Sequence, residues 1–273
     1  MRSVQGGDIR LGTSSFSAMT YNLWGETFLA RRLEAVRALF TLRPPDLLAT
    51  QELTPTLRAA LDEVLPTHAR VHDDHPGWST QSNLWWRTAM FELVDHGWRD
   101  VGIISPHAGL FWVRLRPLAP ASPPEIVVST AHLTYQRHPD ELADLSNRRV
   151  PQARRIVAAL DEIAGDAPVI FTADFNDIAP AHLVFGQAGY LDSYTALARN
   201  LPATHPLPGA SSMEGVWSPN SPIAGVRKGI DALFSRGPLV ARLSEVVEFH
   251  HDGQIPSDHA PVTTMYTFAD ITS

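Results

Sequence analysis

Polar side chains that could do chemistry follow the short apolar runs of this sequence, at the points where strands would end. Asn22 follows one such run, Glu52 follows a second, and Asp174 with Asn176 follows a third. The full set is Asn22, Glu52, His132, Asp174, Asn176, Asp231, Asp258 and His259. Because strand ends deliver side chains to one rim of a sheet, the pattern predicts a rim of carboxylates, amides and imidazoles.

Such a rim suits a hard cation with oxygen ligands, such as Mg²⁺. A divalent ion there would polarise a phosphoryl oxygen and lower the pKa of a bound water. The spacing of two between Asp174 and Asn176 puts both side chains on one face of a strand end. The chain has no cysteine, which excludes thiolate zinc sites, disulfides and a cysteine nucleophile. The residues therefore indicate metal-assisted phosphoryl chemistry.

The elements that must position these residues alternate between strands and helices in the first third of the chain. Residues 19–24 are a predicted strand, and the apolar residues within 29–40 recur at helical spacing. A second strand is predicted at residues 47–50. A second helix is predicted after Thr54, because a cap residue there precedes a proline at the first helical position.

The middle of the chain contains strand-like runs separated by Gly and Pro, which indicates a sheet-rich region. These runs are residues 84–86, 91–94, 110–113 and 126–128. A helix over residues 153–160 then precedes a strand at 169–172. Further strands are predicted near 230–235 and 262–267. Residues 200–225 are rich in Pro, Ser and Gly and are predicted to form a long surface loop.

Composition limits the class of protein. A chain of 273 residues with 44% hydrophobic residues predicts a globular protein with one large domain. The net charge of −7 weighs against a nucleic-acid partner, although it does not exclude one. No apolar run is long enough for a transmembrane segment, and residues 1–18 lack the apolar core of a secretory signal. A cytoplasmic location is expected, and no obligate protein partner is evident.

Six segments, taken in order, resemble the endonuclease/exonuclease/phosphatase superfamily of deoxyribonuclease I-like metal-dependent phosphoesterases. They are TYNL (20–23), TQE (50–52), TAHL (130–133), ADFN (173–176), GIDALF (229–234) and SDHAPV (257–262). The resemblance implies an α+β fold, a four-layered sandwich of two packed, mainly antiparallel sheets flanked by helices. It places a single domain at residues 19–273, after an N-terminal tail over residues 1–18.

The resemblance also implies a role for each polar residue. The residues matching metal ligands are Asn22, Glu52 and Asp258. Asp174 matches the residue that orients or deprotonates the attacking water, and Asn176 matches an amide that hydrogen-bonds the phosphoryl group. His259 matches the histidine that stabilises the phosphate charge. Asp231 matches the carboxylate that orients His259, and His132 matches a phosphate contact. Mg²⁺ is the implied cofactor, with Mn²⁺ as a possible substitute.

This chain departs from the pattern of the superfamily at two positions. Ala173 stands where the family usually has Gly, a change that should leave catalysis intact. Gly229 stands where many members have Arg, although Arg227 and Lys228 lie close by. Asn83 lies within residues 81–87, a stretch that resembles a strand bordering the substrate pocket in bacterial members, which makes Asn83 a candidate substrate contact.

Trp24 and Trp217 are further candidates for the substrate site. Trp24 lies beside a motif, and Trp217 lies in the predicted loop at 200–225. Either side chain could stack on a base or line a lipid pocket, whereas tryptophans in sheets are more often core residues.

Several functions remain open from the sequence. The leading interpretation is a Mg²⁺-dependent hydrolase, a phosphodiesterase in which water attacks phosphorus in line. The alternatives are an endonuclease or exonuclease, a phosphomonoesterase of a soluble metabolite or inositol phosphate, and a non-catalytic binding protein. The phosphoester substrate itself is not specified by the sequence.

Two other clusters have alternative interpretations. The first, His68, His72, Asp73, Asp74 and His75, has the residue types of a zinc site but is predicted to lie in a solvated loop. The second consists of Arg148, Arg149, Arg154 and Arg155. It could contact a phosphate-rich substrate, or it could be a solvated helix face that pairs with nearby acidic residues.

Overall fold

The computed structural model describes residues 15–118, 123–207 and 227–269 of the chain. The strands are β1 Ser15–Asn22, β2 Leu47–Gln51, β3 His68–Arg70, β4 Leu84–Arg87, β5 Phe91–Arg99, β6 Leu110–Pro117, β7 Ile126–His132, β8 Val169–Asp174, β9 Leu191–Asp192, β10 Asp231–Arg236, β11 Leu239–Val246 and β12 Val262–Phe268. The helices are α1 Leu29–Leu42, α2 Pro55–Val64, α3 Gly77–Thr80, α4 Pro139–Asp144, α5 Arg149–Ala164 and α6 Pro180–Gln187, with a 3₁₀ turn at Thr195–Leu197.

These strands form two sheets of six strands each. The first has the order β11-β12-β1-β2-β4-β3 and the second the order β5-β6-β7-β8-β10-β9. In each sheet one pair is parallel, β1 with β2 and β7 with β8, and the other pairs are antiparallel. The predicted sandwich of two mainly antiparallel sheets is therefore confirmed. The carboxyl ends of both parallel pairs lie at the same rim of the sandwich, as the site residues require.

The alternation of side chains along each strand explains the four layers. In β1, Phe16 and Ala18 face the core between the sheets, whereas Met19 and Tyr21 face the helices α1 and α2. In β8, Ile170 faces the core between the sheets and its neighbours face α5 and α6. Because successive side chains of a strand point to opposite faces, both faces of each sheet are apolar and each needs a covering layer.

The predicted elements occur with shifted boundaries. The strand predicted at 19–24 begins earlier, at Ser15, and residues 1–14 of the predicted tail lie outside the described residues. Thr54 caps α2 as predicted, because its hydroxyl accepts a hydrogen bond from the Leu57 N–H at 3.3 Å. The strand β11 and the helix α6 were not predicted. In the described segments, no helix combines the length and the apolar character that a membrane span requires.

Arg32 ties α1 to the loops at the rim. It occupies the buried face of α1, three residues after Leu29 and four before Val36, with 0% of its surface exposed. All five of its N–H groups donate to backbone carbonyl oxygens, those of Leu23, Trp24, Gly25, Thr27 and Pro256. A buried guanidinium is tolerated when every donor is paired. This one side chain therefore shapes the loop after β1 and the loop before β12.

We expect Arg32→Lys to destabilise the protein by about 3 kcal/mol, because an ammonium has three donors and lacks the planar fork that matches five carbonyl groups. Urea unfolding measures the effect. The matched control is Arg31→Lys, an exposed position on the same helix, where stability should stay within about 0.5 kcal/mol. Equal stability of both variants would contradict the structural role of Arg32.

Candidate active site

The site is the outermost layer of the gap between the two sheets. Four of the predicted site residues lie at strand ends: Asn22 ends β1, His132 ends β7, Asp174 ends β8 and Asp231 begins β10. Each occupies a position of its strand that faces the opposite sheet. Strands β8 and β10 pair antiparallel, and their register sets Asp231 directly opposite Asp174. The strand alternation that fills the core with apolar side chains thus delivers polar side chains to the rim.

A polar layer separates this rim from the apolar core. Gln51 is fully buried, and its Nε2 donates to Thr20 Oγ1 at 3.0 Å and to Thr130 Oγ1 at 2.8 Å. Thr20 lies in one sheet and Thr130 in the other. Gln51 therefore joins the two sheets immediately beneath the site, a role that the sequence analysis missed.

Asn22 lies at the centre of the rim. Its Nδ2 donates to Glu52 Oε1 at 3.0 Å and to Asp174 Oδ2 at 2.9 Å, while its Oδ1 accepts from the Trp24 N–H at 2.9 Å. Asn22 and Asp174 are buried, and the side chain of Glu52 is 36% exposed. The amide therefore fixes two carboxylates, one from each sheet, at the solvent boundary.

Three residues at this rim adopt the left-handed backbone conformation without being glycine. The φ angles are 60° for Trp24, 50° for Glu52 and 48° for Asn176. Such conformations cost about 1 kcal/mol or more for residues with a Cβ and persist only where the surrounding structure holds them. Each turns the chain at a strand end, which sets Glu52 and Asn176 beside the ends of β2 and β8.

His259 is oriented by Asp231. The two carboxylate oxygens of Asp231 lie 2.9 and 3.1 Å from His259 Nδ1, and His259 Nε2 lies 3.8 Å from Asp174 Oδ2. Burial alone would lower the pKa of His259, but the neighbouring Asp231, with further contributions from Asp174 and Asp258, raises it well above the usual value. The imidazole is therefore held as a cation beside the Asp174 carboxylate.

His132 and Asn176 form the other side of the rim. Asn176 Nδ2 lies 3.0 Å from His132 Nε2 and donates to the Leu133 carbonyl at 2.9 Å, and the Asn176 N–H donates to Asp174 Oδ1 at 2.8 Å. His132 Nε2 lies 3.4 Å from Asp174 Oδ2. In this arrangement the Asn176 amide orients His132, and its contact with a phosphoryl oxygen stays a prediction.

Asp258 lies beside a histidine that the sequence analysis did not single out. Asp258 Oδ2 is 3.4 Å from His205 Nε2, and the His205 ring packs on His259 with 4.3 Å between ring centroids. Burial raises the pKa of Asp258, but the hydrogen bond from His205 and the charge of His259 outweigh it and lower the pKa. The described contacts do not join Asp258 to Asn22 or Glu52, and its role as a metal ligand stays a prediction.

The charge balance of the site fits a divalent cation. The site contains four carboxylates: Glu52 and Asp174 accept from the Asn22 amide, and Asp231 and Asp258 lie beside His259. Burial, and next the nearby charge of Asp231, raise the pKa of Asp174. A buried carboxylate whose pKa is raised by a neighbouring carboxylate gains from a cation beside it, and the oxygen donors match the preference of Mg²⁺ or Mn²⁺. Glu52 would hold the ion, whereas the Asn22 amide nitrogen donates to Glu52 and Asp174 and its oxygen accepts from the Trp24 N–H, so Asn22 stays a predicted ligand.

The side chains of two predicted substrate contacts, Asn83 and Trp24, are buried within the fold. Asn83 is fully buried, and its amide bonds with the Val71 backbone and with the carbonyl of Trp78. Its polar atoms are therefore used inside the fold, and the prediction of a substrate contact there is corrected. Trp24 is only 7% exposed and packs against Leu207, Ile255 and Ala260. That cluster makes Trp24 a core residue. Trp217 lies outside the described residues.

The predicted zinc alternative finds no support in the described residues. Among these, the side chains of His, Asp and Glu that converge in groups of three are His205 with Asp258 and His259, and Asp174 with Asp231 and His259. His68 belongs to β3 and its Nε2 contacts the Pro45 carbonyl, while His75 stacks on Trp98. His68 and His75 are therefore engaged elsewhere and do not join the other members of the cluster in one site.

One arginine of the basic cluster, Arg149, supports the site from behind. Arg149 is 4% exposed and not solvated, because Nη2 donates to Glu141 Oε1 at 2.6 Å and Nη1 donates to the Thr134 carbonyl at 3.0 Å. Its Nε lies 3.8 Å from Asp177 Oδ2. Arg149 thus links the loop after His132 to the loop after Asn176. Arg148 pairs with Asp144 at the surface, as the solvated alternative predicts.

Arg32, Gln51 and His205 contribute to the site or its support but are not among the residues predicted from the sequence. A sequence pattern indicates one of them, Arg32. Arg32 lies at helical spacing between Leu29 and Val36, and a charged residue within an apolar stripe indicates a buried structural role. Gln51 and His205 have no comparable pattern, since their partners belong to distant strands and loops.

We expect Glu141→Gln to reduce stability by about 2 kcal/mol at pH 7, because the ion pair with Arg149 is largely buried. Burial raises the pKa of Glu141, but the Arg149 hydrogen bond and charge, together with the hydrogen bonds from the Arg137 and Arg148 N–H groups, outweigh it and lower the pKa below 4.5. The contribution is therefore present above pH 4.5 and is lost as the pH falls through the folded-state pKa. The difference in the free energy of unfolding between Glu141→Gln and the parent protein should therefore disappear at acid pH.

Denaturant unfolding at pH 7 and pH 3 measures this difference. Glu63→Gln is the control, because Glu63 is 64% exposed and pairs with Arg37 at the surface. If the difference in the free energy of unfolding between Glu141→Gln and the parent protein were the same at pH 3 as at pH 7, the role of the ion pair would be contradicted.

Comparison with known proteins is consistent with this geometry. Residues 19–259 match the sequence profile of the Endonuclease/Exonuclease/phosphatase family. No curated protein sequence matches the chain. D. rerio TDP2 in a complex with a single-strand DNA product has a TM-score of 0.74 at 20% identity, over 93% of this chain and 99% of that one.

A mannosyl-6-phosphatase of Bacteroides thetaiotaomicron gives a TM-score of 0.71 at 18% identity, over 93% of this chain and 100% of that one. A second protein of that organism, described as of the endonuclease/exonuclease/phosphatase family, gives 0.72 at 17% identity, over 94% and 99%. At these sequence identities, the similarity to the three solved structures shows a shared fold and no more.

Proposed function

Because this chain belongs to the endonuclease/exonuclease/phosphatase family, whose members are metal-dependent phosphoesterases, we propose that it is a Mg²⁺-dependent phosphodiesterase. The observation that supports this best is the arrangement of Asp231, His259 and Asp174. A carboxylate orients an imidazole whose free nitrogen lies 3.8 Å from a second carboxylate. That arrangement pairs a candidate base with a candidate cationic stabiliser at one solvent boundary.

Asp174 is the residue best placed to act on the attacking water. Asn22 and the Asn176 N–H hold its two oxygens in position, at 2.9 and 2.8 Å. Burial raises the pKa of Asp174, which makes its carboxylate a stronger base than an exposed aspartate. In the proposed reaction Asp174 orients the water in line with the scissile P–O bond and accepts its proton as the water oxygen bonds to phosphorus. The scissile P–O bond breaks, and the leaving oxygen departs as an alkoxide or aryloxide that takes a proton from solvent.

His259 and His132 are placed to stabilise the charge that develops on the phosphoryl oxygens. Asp231 holds His259 through Nδ1 and leaves Nε2 directed at the site. Asn176 orients His132 on the other side of Asp174. Two imidazoles that flank the base on opposite sides suit a phosphoryl group between them.

When bound by Glu52 and Asn22, a divalent cation supplies a Lewis acid that neutralises negative charge on the phosphoryl group. Asn22 holds Glu52 Oε1 by the 3.0 Å hydrogen bond, so the carboxylate is oriented before a cation binds.

The charge of the site favours a diester over a monoester. A phosphodiester has one negative charge, whereas a phosphomonoester has about −1.5 to −2 at pH 7. Four carboxylates meet at this rim, and they repel the more highly charged group more strongly. Known structures of this fold include one with a single-strand DNA product and a mannosyl-6-phosphatase. The fold by itself therefore does not choose between the two substrate classes.

We expect Asp174→Asn to lower turnover at least about 100-fold, because the amide keeps the shape but cannot accept the proton. The assay is Mg²⁺-dependent hydrolysis of aryl phosphodiesters, aryl phosphomonoesters and short oligonucleotides. Asp252→Asn is the control, since the Asp252 side chain is 90% exposed. A variant that keeps most of its turnover would rule out Asp174 as the base.

We expect Glu52→Gln to weaken divalent-ion binding at least about tenfold, because the site loses an anionic ligand. Mn²⁺ binding, followed by the loss of the free-ion signal in electron paramagnetic resonance, measures affinity without any substrate. The control is Glu34→Gln, an exposed residue of α1. Unchanged Mn²⁺ affinity in Glu52→Gln would place the cation elsewhere. Tight Mn²⁺ binding without hydrolysis of any substrate would favour a non-catalytic binding protein.

A further inference from the structure

Lys228 is the only lysine of the chain, and it lies beside the candidate active site. Its backbone pairs with His205 in an antiparallel bridge, with the Lys228 N–H on the His205 carbonyl at 2.6 Å and the reverse bond at 3.0 Å. Residues paired in this way present their side chains on the same face. Since the His205 ring packs on His259 at 4.3 Å, the Lys228 side chain projects along the face that carries His259.

The ammonium group reaches towards the opposite wall of the site. Lys228 Nζ donates to Gln136 Oε1 at 3.1 Å, and Gln136 belongs to the loop that follows His132. The ammonium group therefore lies between the loop that carries His132 and the segment that packs on His259.

The positive charge of Lys228 is not paired with a carboxylate in the described part of the chain. Its side-chain hydrogen bond goes to the neutral amide of Gln136. The adjacent Arg227, in contrast, pairs with Glu248. An ammonium that lacks a carboxylate partner is available to an anion from solution.

The backbone around Gly229 leaves no room for a side chain at that position. A Cβ atom at Gly229 would lie 2.6 Å from the Pro202 carbonyl oxygen and 2.9 Å from the Leu201 Cγ. Position 229 therefore has no room for the arginine that the family resemblance leads one to expect there. The cation of this chain is instead one residue earlier and points at the loop after His132.

We infer that Lys228, together with Gln136, binds a second phosphate group of the substrate, on the assumption that the proposed phosphodiesterase function holds. The four carboxylates of the reaction centre repel an additional phosphate, whereas the ammonium attracts it. The substrate would therefore have two phosphates, one to be cleaved and one to be held at Lys228.

Two pairs of substrates test this inference and separate a nucleotide from a small metabolite as the source of the second phosphate. The first pair is thymidine 5′-(4-nitrophenyl phosphate) with and without a 3′-phosphate. The second is butyl 4-nitrophenyl phosphate with and without a terminal phosphate on the butyl chain. We expect the parent to prefer the phosphorylated member of at least one pair in kcat/KM.

Lys228→Ala should lower that preference about tenfold, mainly through KM, and Lys228→Arg should keep most of it. Arg227→Ala is the matched control and should leave the preference unchanged. A purely structural role of Lys228 would lower kcat/KM equally for both members of a pair. That result, or a parent with no preference in either pair, would overturn the inference.

A labelling experiment tests the subsite without turnover. Pyridoxal 5′-phosphate forms an imine with lysine, which borohydride fixes, and peptide mass mapping distinguishes Lys228 from the chain's amino terminus. We expect saturable labelling of Lys228 that inorganic pyrophosphate prevents. Labelling that rises linearly and is not prevented would contradict an anion subsite. If no substrate is hydrolysed but labelling is saturable and prevented, the phosphodiesterase proposal fails while the anion subsite at Lys228 stands.

Discussion

The hydrogen bond of 2.9 Å between the Asn22 amide and the Asp174 carboxylate joins the two sheets at their polar rim. Both side chains are buried, and an unpaired polar group there would cost about 1–3 kcal/mol. The bond forms because both residues occupy positions of their strands that face the gap between the sheets. The apolar core beneath sets the separation of the sheets, which is about 10 Å in such packing. The packing of the core therefore determines the dimensions of the site.

Two buried arginines, Arg32 and Arg149, stabilise the loops around the site. Arg32 gathers five carbonyl groups from the loops around β1 and β12, and Arg149 links the loops that follow His132 and Asn176. A guanidinium suits both positions because its donors are fixed in a plane and it stays charged. These two arginines position the site from behind, and their donors are used inside the fold and not at the rim.

The remaining charge at the rim is strongly negative, and this governs what the site can bind. Glu52 and Asp174 flank one amide, and Asp231 and Asp258 flank His259. A divalent cation relieves part of this repulsion, and a singly charged phosphodiester adds less to it than a monoester does. The lone ammonium of Lys228, beside His205, adds positive charge at the edge of an otherwise acidic site.

The sequence by itself determined the family, many of the strands and helices and the polar residues at the strand ends, because these depend on local periodicity and on short motifs. Asp174 and Asp231 illustrate this, since each directly adjoins an apolar strand. Only the tertiary structure decided which side chains meet. Asn83 and Trp24 are buried by their surroundings, and His205 meets Asp258 across a fold that local patterns do not encode. Contacts between residues far apart in the chain depend on how the sheets pack, and alternation along a strand specifies a face but not a partner.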